Sequence, residues 1–162
     1  MFLLDTELLL DLRNGEAGGA TPGLLSWAGG IARQRLFISV ITLLEAERAI
    51  LAAQRRGRES GFAWRAWIEE QLLPAFEGQI LPIDAAVVRR QFDLGLADNR
   101  DALLAATTLT HNLTLATYHP TRFRPARLKT FDPRGYQPEM ESDWREASRA
   151  GSHWLKNLFV RA

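Results

Sequence analysis

The chain of 162 residues contains no cysteine. This absence excludes disulfide bonds, thiolate metal ligands and a cysteine nucleophile. No apolar run approaches the roughly 20 residues that a membrane-spanning helix needs. The apolar start carries Asp5 and Glu7 and has no basic leader, so it does not resemble a signal peptide. We therefore expect a protein of the cytoplasm without a membrane anchor.

An excess of charge of one sign is also lacking, because the formal net charge is only +1. The chain thus has no overall basic field that would attract any polyanion. All but two of its 20 basic residues are arginines, and Arg122, Arg124 and Arg127 lie close together. Arginine can bind phosphate through two parallel hydrogen bonds. Without further evidence, solvated charges on a loop are the simpler interpretation of this cluster.

Several common catalytic motifs are absent. The sequence has no G-x-x-x-x-G-K loop, no G-x-G-x-x-G after a strand and no G-x-S-x-G elbow. The three histidines, His111, His119 and His153, do not have the spacing of a zinc site. These absences argue against a nucleotide-binding loop, a serine hydrolase and a histidine-rich zinc site.

Short apolar runs alternate with helical patterns in this chain, which is 46% hydrophobic and 24% charged. Strands are predicted at about 2–4, 36–39, 80–83, 113–117 and 127–131. Helices are predicted at about 6–12, 24–34, 40–56, 62–76, 84–96 and 99–111, with a glycine-rich break at 57–61. Such short strands separated by helices favour an α/β fold with a parallel sheet covered on both faces.

The last thirty residues differ in character. Apolar residues there have the spacing of one helix face, although Gly151 weakens the helix. These residues are Trp144, Ala147, Trp154, Leu155 and Leu158. We predict a domain at 1–131 and a partly helical C-terminal extension at 132–162. The extension packs on the domain, joins a dimer or orders on a partner, and the sequence leaves the choice open.

Acidic residues follow the predicted strands, at the edge where ligands bind in open parallel sheets. Asp5 follows the first strand, Glu45 lies in the helix after the second, and Asp98 and Asp101 begin the helix before the fourth. Together with a hard cation, such carboxylates form the oxygen coordination that Mg²⁺ or Mn²⁺ prefers. Taken singly, Asp5 and the Asp98–Asp101 pair are more simply explained as helix caps. Helical periodicity does not choose between Glu45 and Glu47.

Three segments match a known family in order and spacing. They are Leu-Leu-Asp-Thr at 3–6, Ile-Ser-Val-Ile-Thr-Leu-Leu-Glu at 38–45, and Asp-Ala-Leu-Leu-Ala-Ala-Thr-Thr-Leu at 101–109, followed by the strand to Thr117 and by Phe123. They resemble the PIN-domain nucleases, in particular the VapC-type toxins of bacterial toxin–antitoxin pairs and their FitB-like relatives. The resemblance covers about residues 2–131, and the run beginning at Asp101 is its most specific part.

The resemblance implies a three-layer α/β/α sandwich around a short parallel sheet. It also implies an endoribonuclease that depends on Mg²⁺ or Mn²⁺. By this resemblance, Asp5, Glu45 and Asp101 are the catalytic and metal-binding residues, and Glu45 is chosen over Glu47. It further implies an RNA substrate, a cognate antitoxin protein and a homodimer.

The sequence departs from the family pattern at two places. Glu7 stands where Asn is usual, and in the fourth motif Arg122 replaces an acid while His119 replaces an Asn. If the site is nevertheless a nuclease, Arg122, Arg124 and Arg127 are expected to contact RNA phosphates. We also expect four residues to contact the metal-binding side chains and hold them in place: Thr6, Glu7, Asp98 and Thr117.

Two other interpretations stay open. A cation at the fourth acidic position repels metal, which favours a catalytically weakened or inactive PIN-fold protein that binds RNA or an antitoxin. If the acids are only helix caps, the chain is instead an unrelated small-ligand α/β domain. In that case the three carboxylates should lie far apart.

Overall fold

The computed structural model describes residues 1–15 and 20–137, together with Trp154 and Leu158. In this part of the chain a five-stranded sheet has the order β3-β2-β1-β4-β5, and all neighbouring strands are parallel. The strands are β1 (Phe2–Leu4), β2 (Leu36–Ser39), β3 (Ile80–Leu81), β4 (Thr114–Ala116) and β5 (Thr130–Phe131). The predicted parallel α/β fold is therefore confirmed.

Helices connect the strands in the described part of the chain. They are α1 (Thr6–Asn14), α2 (Pro22–Gly30), α3 (Val40–Arg56), α4 (Arg58–Trp67), α5 (Leu73–Ala75), α6 (Ala85–Gln91) and α7 (Asn99–Thr110). A π-helical turn at Ile68–Leu72 joins α4 to α5, and 3₁₀ turns lie at Arg33–Arg35, Pro120–Ala126 and Pro133–Gly135. None of the helices described is long and apolar enough to cross a bilayer.

The sheet buries apolar side chains on both faces. Leu4 and Ile38 are fully buried in one core with residues of α1, α2, α3 and α4. Leu3 and Leu115 are fully buried in a second core with residues of α6 and α7. Because successive strand residues point to opposite faces, the adjacent Leu3 and Leu4 serve different layers. This arrangement confirms the three-layer sandwich.

The predicted helix boundaries are wrong at three places. The break between α3 and α4 is only Gly57, because Gly61 lies inside α4 and packs against Gln54 of α3. A Cβ atom at Gly61 would lie 2.3 Å from Cγ of Gln54, so the missing side chain permits the close return of α4 along α3. The helix expected at 24–34 ends at Gly30, and the helix expected at 84–96 ends at Gln91.

Beyond residue 137, the C-terminal extension contacts the domain at its two described positions, Trp154 and Leu158. Leu158 is fully buried, and its carbonyl oxygen accepts a hydrogen bond from Nε1 of Trp67 at 2.9 Å. The ring of Trp154 meets Phe76 edge-on, with 6.4 Å between ring centroids. At these two positions the extension packs on the domain. Outside the described residues lie Trp144, Ala147, Gly151, His153 and Leu155.

Leu158→Ala is expected to lower the free energy of unfolding by about 2–4 kcal/mol, because it removes buried methyl groups and leaves a cavity. Urea denaturation followed by tryptophan fluorescence measures this loss. The control is Phe92→Ala, since Phe92 is 79% exposed and its truncation should cost less than about 0.5 kcal/mol. Equal losses in the two variants would contradict the packing of the extension.

Tyr118 makes the stability of the fold sensitive to alkaline pH. Its hydroxyl donates a hydrogen bond to Oδ2 of Asp11 at 2.9 Å. Burial, followed by the hydrogen bond and charge of Asp11, raises the pKa of Tyr118 above its ordinary value. A group whose pKa is raised by folding stabilises the fold below its unfolded pKa, which is about 10 for tyrosine. That contribution is lost as the pH rises through the folded pKa.

We expect Tyr118→Phe to lower the Tm at about pH 8, where the hydrogen bond of the parent protein is intact. Between about pH 9 and 11.5 the Tm of the variant should fall less than the Tm of the parent protein. Thermal melts followed by circular dichroism test this. Tyr136→Phe removes the chain's other phenolic hydroxyl and should retain the parent's alkaline loss. An unchanged alkaline loss in Tyr118→Phe would refute the role of Tyr118.

Candidate active site

Three acidic side chains come together at the carboxyl edge of the sheet. Asp5 directly follows β1, Glu45 lies in the second turn of α3 after β2, and Asp101 lies in the first turn of α7. Because β1 pairs with β2 in parallel, the residues that follow the two strands meet at the same edge. Asp5 and Asp101 are buried, whereas the side chain of Glu45 is 25% exposed.

One guanidinium group joins the three carboxylates. Arg100 donates from Nη2 to Oδ1 of Asp5 at 2.6 Å and from Nη1 to Oδ1 of Asp101 at 2.7 Å. Its Nε donates to Oε1 of Glu45. Partial burial lowers the pKa of Arg100, but the hydrogen bonds and charges of Glu45 and Asp5 outweigh this effect, so the pKa is raised overall. Each guanidinium nitrogen thus serves a different carboxylate.

Sequence reasoning missed Arg100. The available signal was its position, since it lies directly before Asp101 in the first turn of a helix that begins at the acidic edge. A lone arginine beside a predicted acidic cluster is a candidate partner for that cluster.

Asp5 is both a helix cap and a member of the site. Its Oδ1 accepts a hydrogen bond from the backbone N–H of Thr6 at 2.8 Å, which caps α1. Its Oδ2 accepts a hydrogen bond from the hydroxyl of Thr117 at 2.8 Å. The backbone N–H of Asp5 also donates to the carbonyl of Ala116 at 3.0 Å, which keeps Asp5 beside the end of β4. The capping interpretation and the site interpretation therefore hold together.

Glu45 and Asp101 are also positioned by neighbours. The hydroxyl of Thr6 donates to Oε2 of Glu45. Oδ1 of Asp98 accepts from the backbone N–H of Asp101 at 3.0 Å, so Asp98 is the N-cap of α7. Glu47, the alternative glutamate, is exposed and does not line the cavity described below.

Two of the residues that depart from the family pattern, Glu7 and His119, contact each other. Nε2 of His119 lies 2.8 Å from Oε2 of Glu7. The backbone N–H of His119 donates to the hydroxyl of Thr117 at 3.1 Å, and this same hydroxyl donates to Asp5. The fourth motif is thereby tied to the acidic site through Thr117.

A cavity of about 830 Å³ opens over the acids. Its walls are formed by Asp5, Thr6, Glu7, Leu10, Glu45, Leu96, Ala97, Asp98, Arg100, Asp101 and Arg122. Five of these side chains are acidic and two are basic, so the cavity carries an excess of negative charge that attracts cations. Arg122 belongs to the wall, whereas Arg124 and Arg127 are exposed and do not line the cavity.

The donor set suits a hard divalent cation. Mg²⁺ and Mn²⁺ prefer carboxylate oxygens, and three carboxylates from three elements here converge on one positive group. As they stand, the described residues hold no group of three His, Asp or Glu side chains arranged to bind a metal ion. The guanidinium of Arg100 bonds one oxygen of each acid. The chemistry of the residues fits a metal, and their present partner is an arginine.

The fold and the acidic site define a three-layer α/β protein with a carboxylate cluster at the sheet edge. The sequence matches the PIN domain family over residues 2–125. The chain therefore belongs to the PIN domain family. This finding confirms the resemblance and excludes the unrelated small-ligand domain.

Individual relatives agree with the family assignment. Over 141 residues the chain is 28% identical to VapC ribonuclease Y4jK of Sinorhizobium fredii, and the aligned region covers 82% of this chain and 97% of that protein. It is 26% identical to toxin FitB of Neisseria gonorrhoeae, with coverage of 82% and 98%. The crystal structure of FitAcB from the same organism has a TM-score of 0.73 and 26% identity, over 82% of this chain and 98% of that one.

Asp98→Ala is expected to lower the free energy of unfolding by about 1 kcal/mol, because α7 loses its N-cap. Asp98→Asn keeps an oxygen that accepts the hydrogen bond and should remain within about 0.5 kcal/mol of the parent protein. Chemical denaturation in buffer without divalent ions compares the two. If the Asn variant is as unstable as the Ala variant, Asp98 acts through its charge and not as a cap.

Proposed function

We propose that this chain is a metal-dependent endoribonuclease and the toxin of a toxin–antitoxin pair. The observation that carries the proposal is the convergence of Asp5, Glu45 and Asp101 at one sheet edge in a member of the PIN domain family. A relative named VapC ribonuclease supports RNA as the substrate, and a relative named toxin FitB supports the toxin role.

In this proposal Asp5 and Asp101 would hold Mg²⁺ or Mn²⁺ directly, and Glu45 would join them directly or through a water. Such an ion, when bound, polarises the phosphate and favours deprotonation of water. The rest of the work belongs to the chain. Thr117 and the N-terminus of α1 hold Asp5 in one orientation, so little reorganisation is needed when substrate arrives.

Substrate contact is assigned to the basic side of the cavity. Arg122 is exposed and forms part of the cavity wall, where it can reach a phosphate that lies over the acids. Arg124 and Arg127 are exposed in and just after the same 3₁₀ segment, and they extend a basic edge outward. Contacts of this type give an affinity for RNA that falls as salt rises.

The proposed partners are a cognate antitoxin protein and a second copy of the chain, with the cytoplasm as the compartment. The α3–α4 pair supports protein association, since it exposes large apolar side chains. Leu44, Leu51 and Phe62 are 48%, 60% and 68% exposed, respectively. The family resemblance to toxins of toxin–antitoxin pairs supports the identity of the partner.

The purified protein is expected to cut RNA in the presence of Mg²⁺ or Mn²⁺ and to stop when EDTA is added. Asp5→Asn and Asp101→Asn should each slow cleavage by about 10²-fold or more, the scale of a lost transition-state contact. Asp93→Asn is the matched control, because Asp93 is exposed and lies outside the cavity wall. Gel assays with single-stranded and structured RNAs measure the rates.

The same assay separates this proposal from the inactive binding module, which the cation Arg122 in the cavity wall favours. RNA or antitoxin binding without cleavage by any form of the protein would support the module. Full activity in both Asn variants would show that the site has been assigned to the wrong residues.

A further inference from the structure

All three nitrogen atoms of the Arg100 guanidinium group form hydrogen bonds to the acidic site. Its Nε, Nη1 and Nη2 atoms each donate to a different carboxylate, and its side chain is 28% exposed. Its backbone lies in the first turn of α7, beside the N-cap Asp98. The side chain can therefore leave the acids without any change in the helix.

Arg100 bonds one oxygen of each acid and so occupies the space between them. Oδ2 of Asp5 already accepts from Thr117, and Oε2 of Glu45 already accepts from Thr6. Oε1 of Glu45, Oδ1 of Asp101 and Oδ1 of Asp5 accept from Arg100, and Oδ1 of Asp5 also accepts from the backbone N–H of Thr6. The guanidinium therefore lies where a cation shared by the three acids would lie, and two positive groups at that place repel each other, so Arg100 and a metal compete for the site.

Arg100 also offsets a large repulsion. Three carboxylates that share a site disfavour one another's charged forms. A partly buried acid that loses its partner is left with an uncompensated charge, which is strongly destabilising. Because Arg100 contacts all three acids, its positive charge reduces the repulsion within each pair of them.

We propose that Arg100 is a built-in counter-cation of this site: it holds Asp5, Glu45 and Asp101 together before a metal binds, and it must swing away for the metal to enter. The inference rests on the proposed function in one respect, namely that these acids bind a divalent metal. Arg100 is thus a positioning residue that sets the affinity of the site for its metal.

The expected size of the effect follows from the population of molecules in which Arg100 has left the acids. The apparent dissociation constant is the intrinsic constant divided by that fraction. If the fraction is about 0.1–10%, as for a typical minor conformation, Arg100 weakens metal binding by about 10- to 1,000-fold.

Titration of Mn²⁺ into the protein without RNA, followed by electron paramagnetic resonance of the free ion, tests the inference. Arg100→Gln should bind Mn²⁺ at least about tenfold more tightly than the parent protein. Arg100→Lys keeps the charge but cannot serve three carboxylates at once, so its affinity should lie between the two. Arg122→Gln is the matched control, because it removes the same charge from the same cavity and Arg122 is in no ion pair of the described residues.

Thermal melts of the same proteins give an independent readout. Without divalent ions, Arg100→Gln should melt below the parent protein, and Mn²⁺ should raise its Tm more than it raises the parent's. If Arg100→Gln does not fold, Arg100→Lys carries both tests, with the same direction of change.

The outcomes distinguish this inference from the proposed function. One outcome would overturn the inference and leave the metal site intact. In that outcome Asp5→Asn abolishes Mn²⁺ binding, but Arg100→Gln and Arg100→Lys bind Mn²⁺ no more tightly than Arg122→Gln does. No Mn²⁺ binding by any form would overturn both. Tighter binding in the Arg100 variants alone would establish Arg100 as the competitor.

Discussion

Repulsion among like charges at one edge of the sheet is the physical constraint that shapes this site. Asp5, Glu45 and Asp101 approach closely enough to share one guanidinium group. The fold offsets their repulsion with that group, with a backbone N–H at the start of α1 and with the hydroxyls of two threonines. Hydrogen bonds to charged groups are stronger than neutral ones, so each of these contacts helps to keep the carboxylates in place.

The sheet explains why these residues meet. β1 lies at the centre, between β2 and β4, and the helices α1 and α3 begin directly after β1 and β2. The carboxyl ends of the central strands therefore deliver Asp5, the start of α3 and Thr117 to one place. Burial of Leu3 in one core and Leu4 in the other fixes β1 between the two helical layers. The position of the acids is thus a direct consequence of how the sheet is covered.

Local signals in the sequence were enough to predict the parallel sheet and its cover on both faces, whereas the choice of the three acids came from the family resemblance. Partners that are distant in the sequence were not predictable in this way. Arg100 lies directly before Asp101, which made it a candidate partner of the acids, but it lies 95 residues from Asp5 and 55 from Glu45, so its bonds to those two acids appear only when the chain is folded. The contact between Glu7 and His119 spans 112 residues and was missed for the same reason.

Helical periodicity did not separate Glu45 from Glu47, because both lie among apolar neighbours on the helical wheel. The family resemblance chose Glu45. The folded structure supplies the physical difference, since Glu45 contacts Arg100 and Thr6 whereas Glu47 is exposed.

The most direct test of the account is a crystal structure of the protein soaked in Mn²⁺, with the ion located by anomalous scattering. We predict one Mn²⁺ ion bound by Asp5 and Asp101 close to Glu45, with Arg100 turned away from the acids. Mn²⁺ bound at another group, or Arg100 still bonded to all three acids at saturating Mn²⁺, would contradict it.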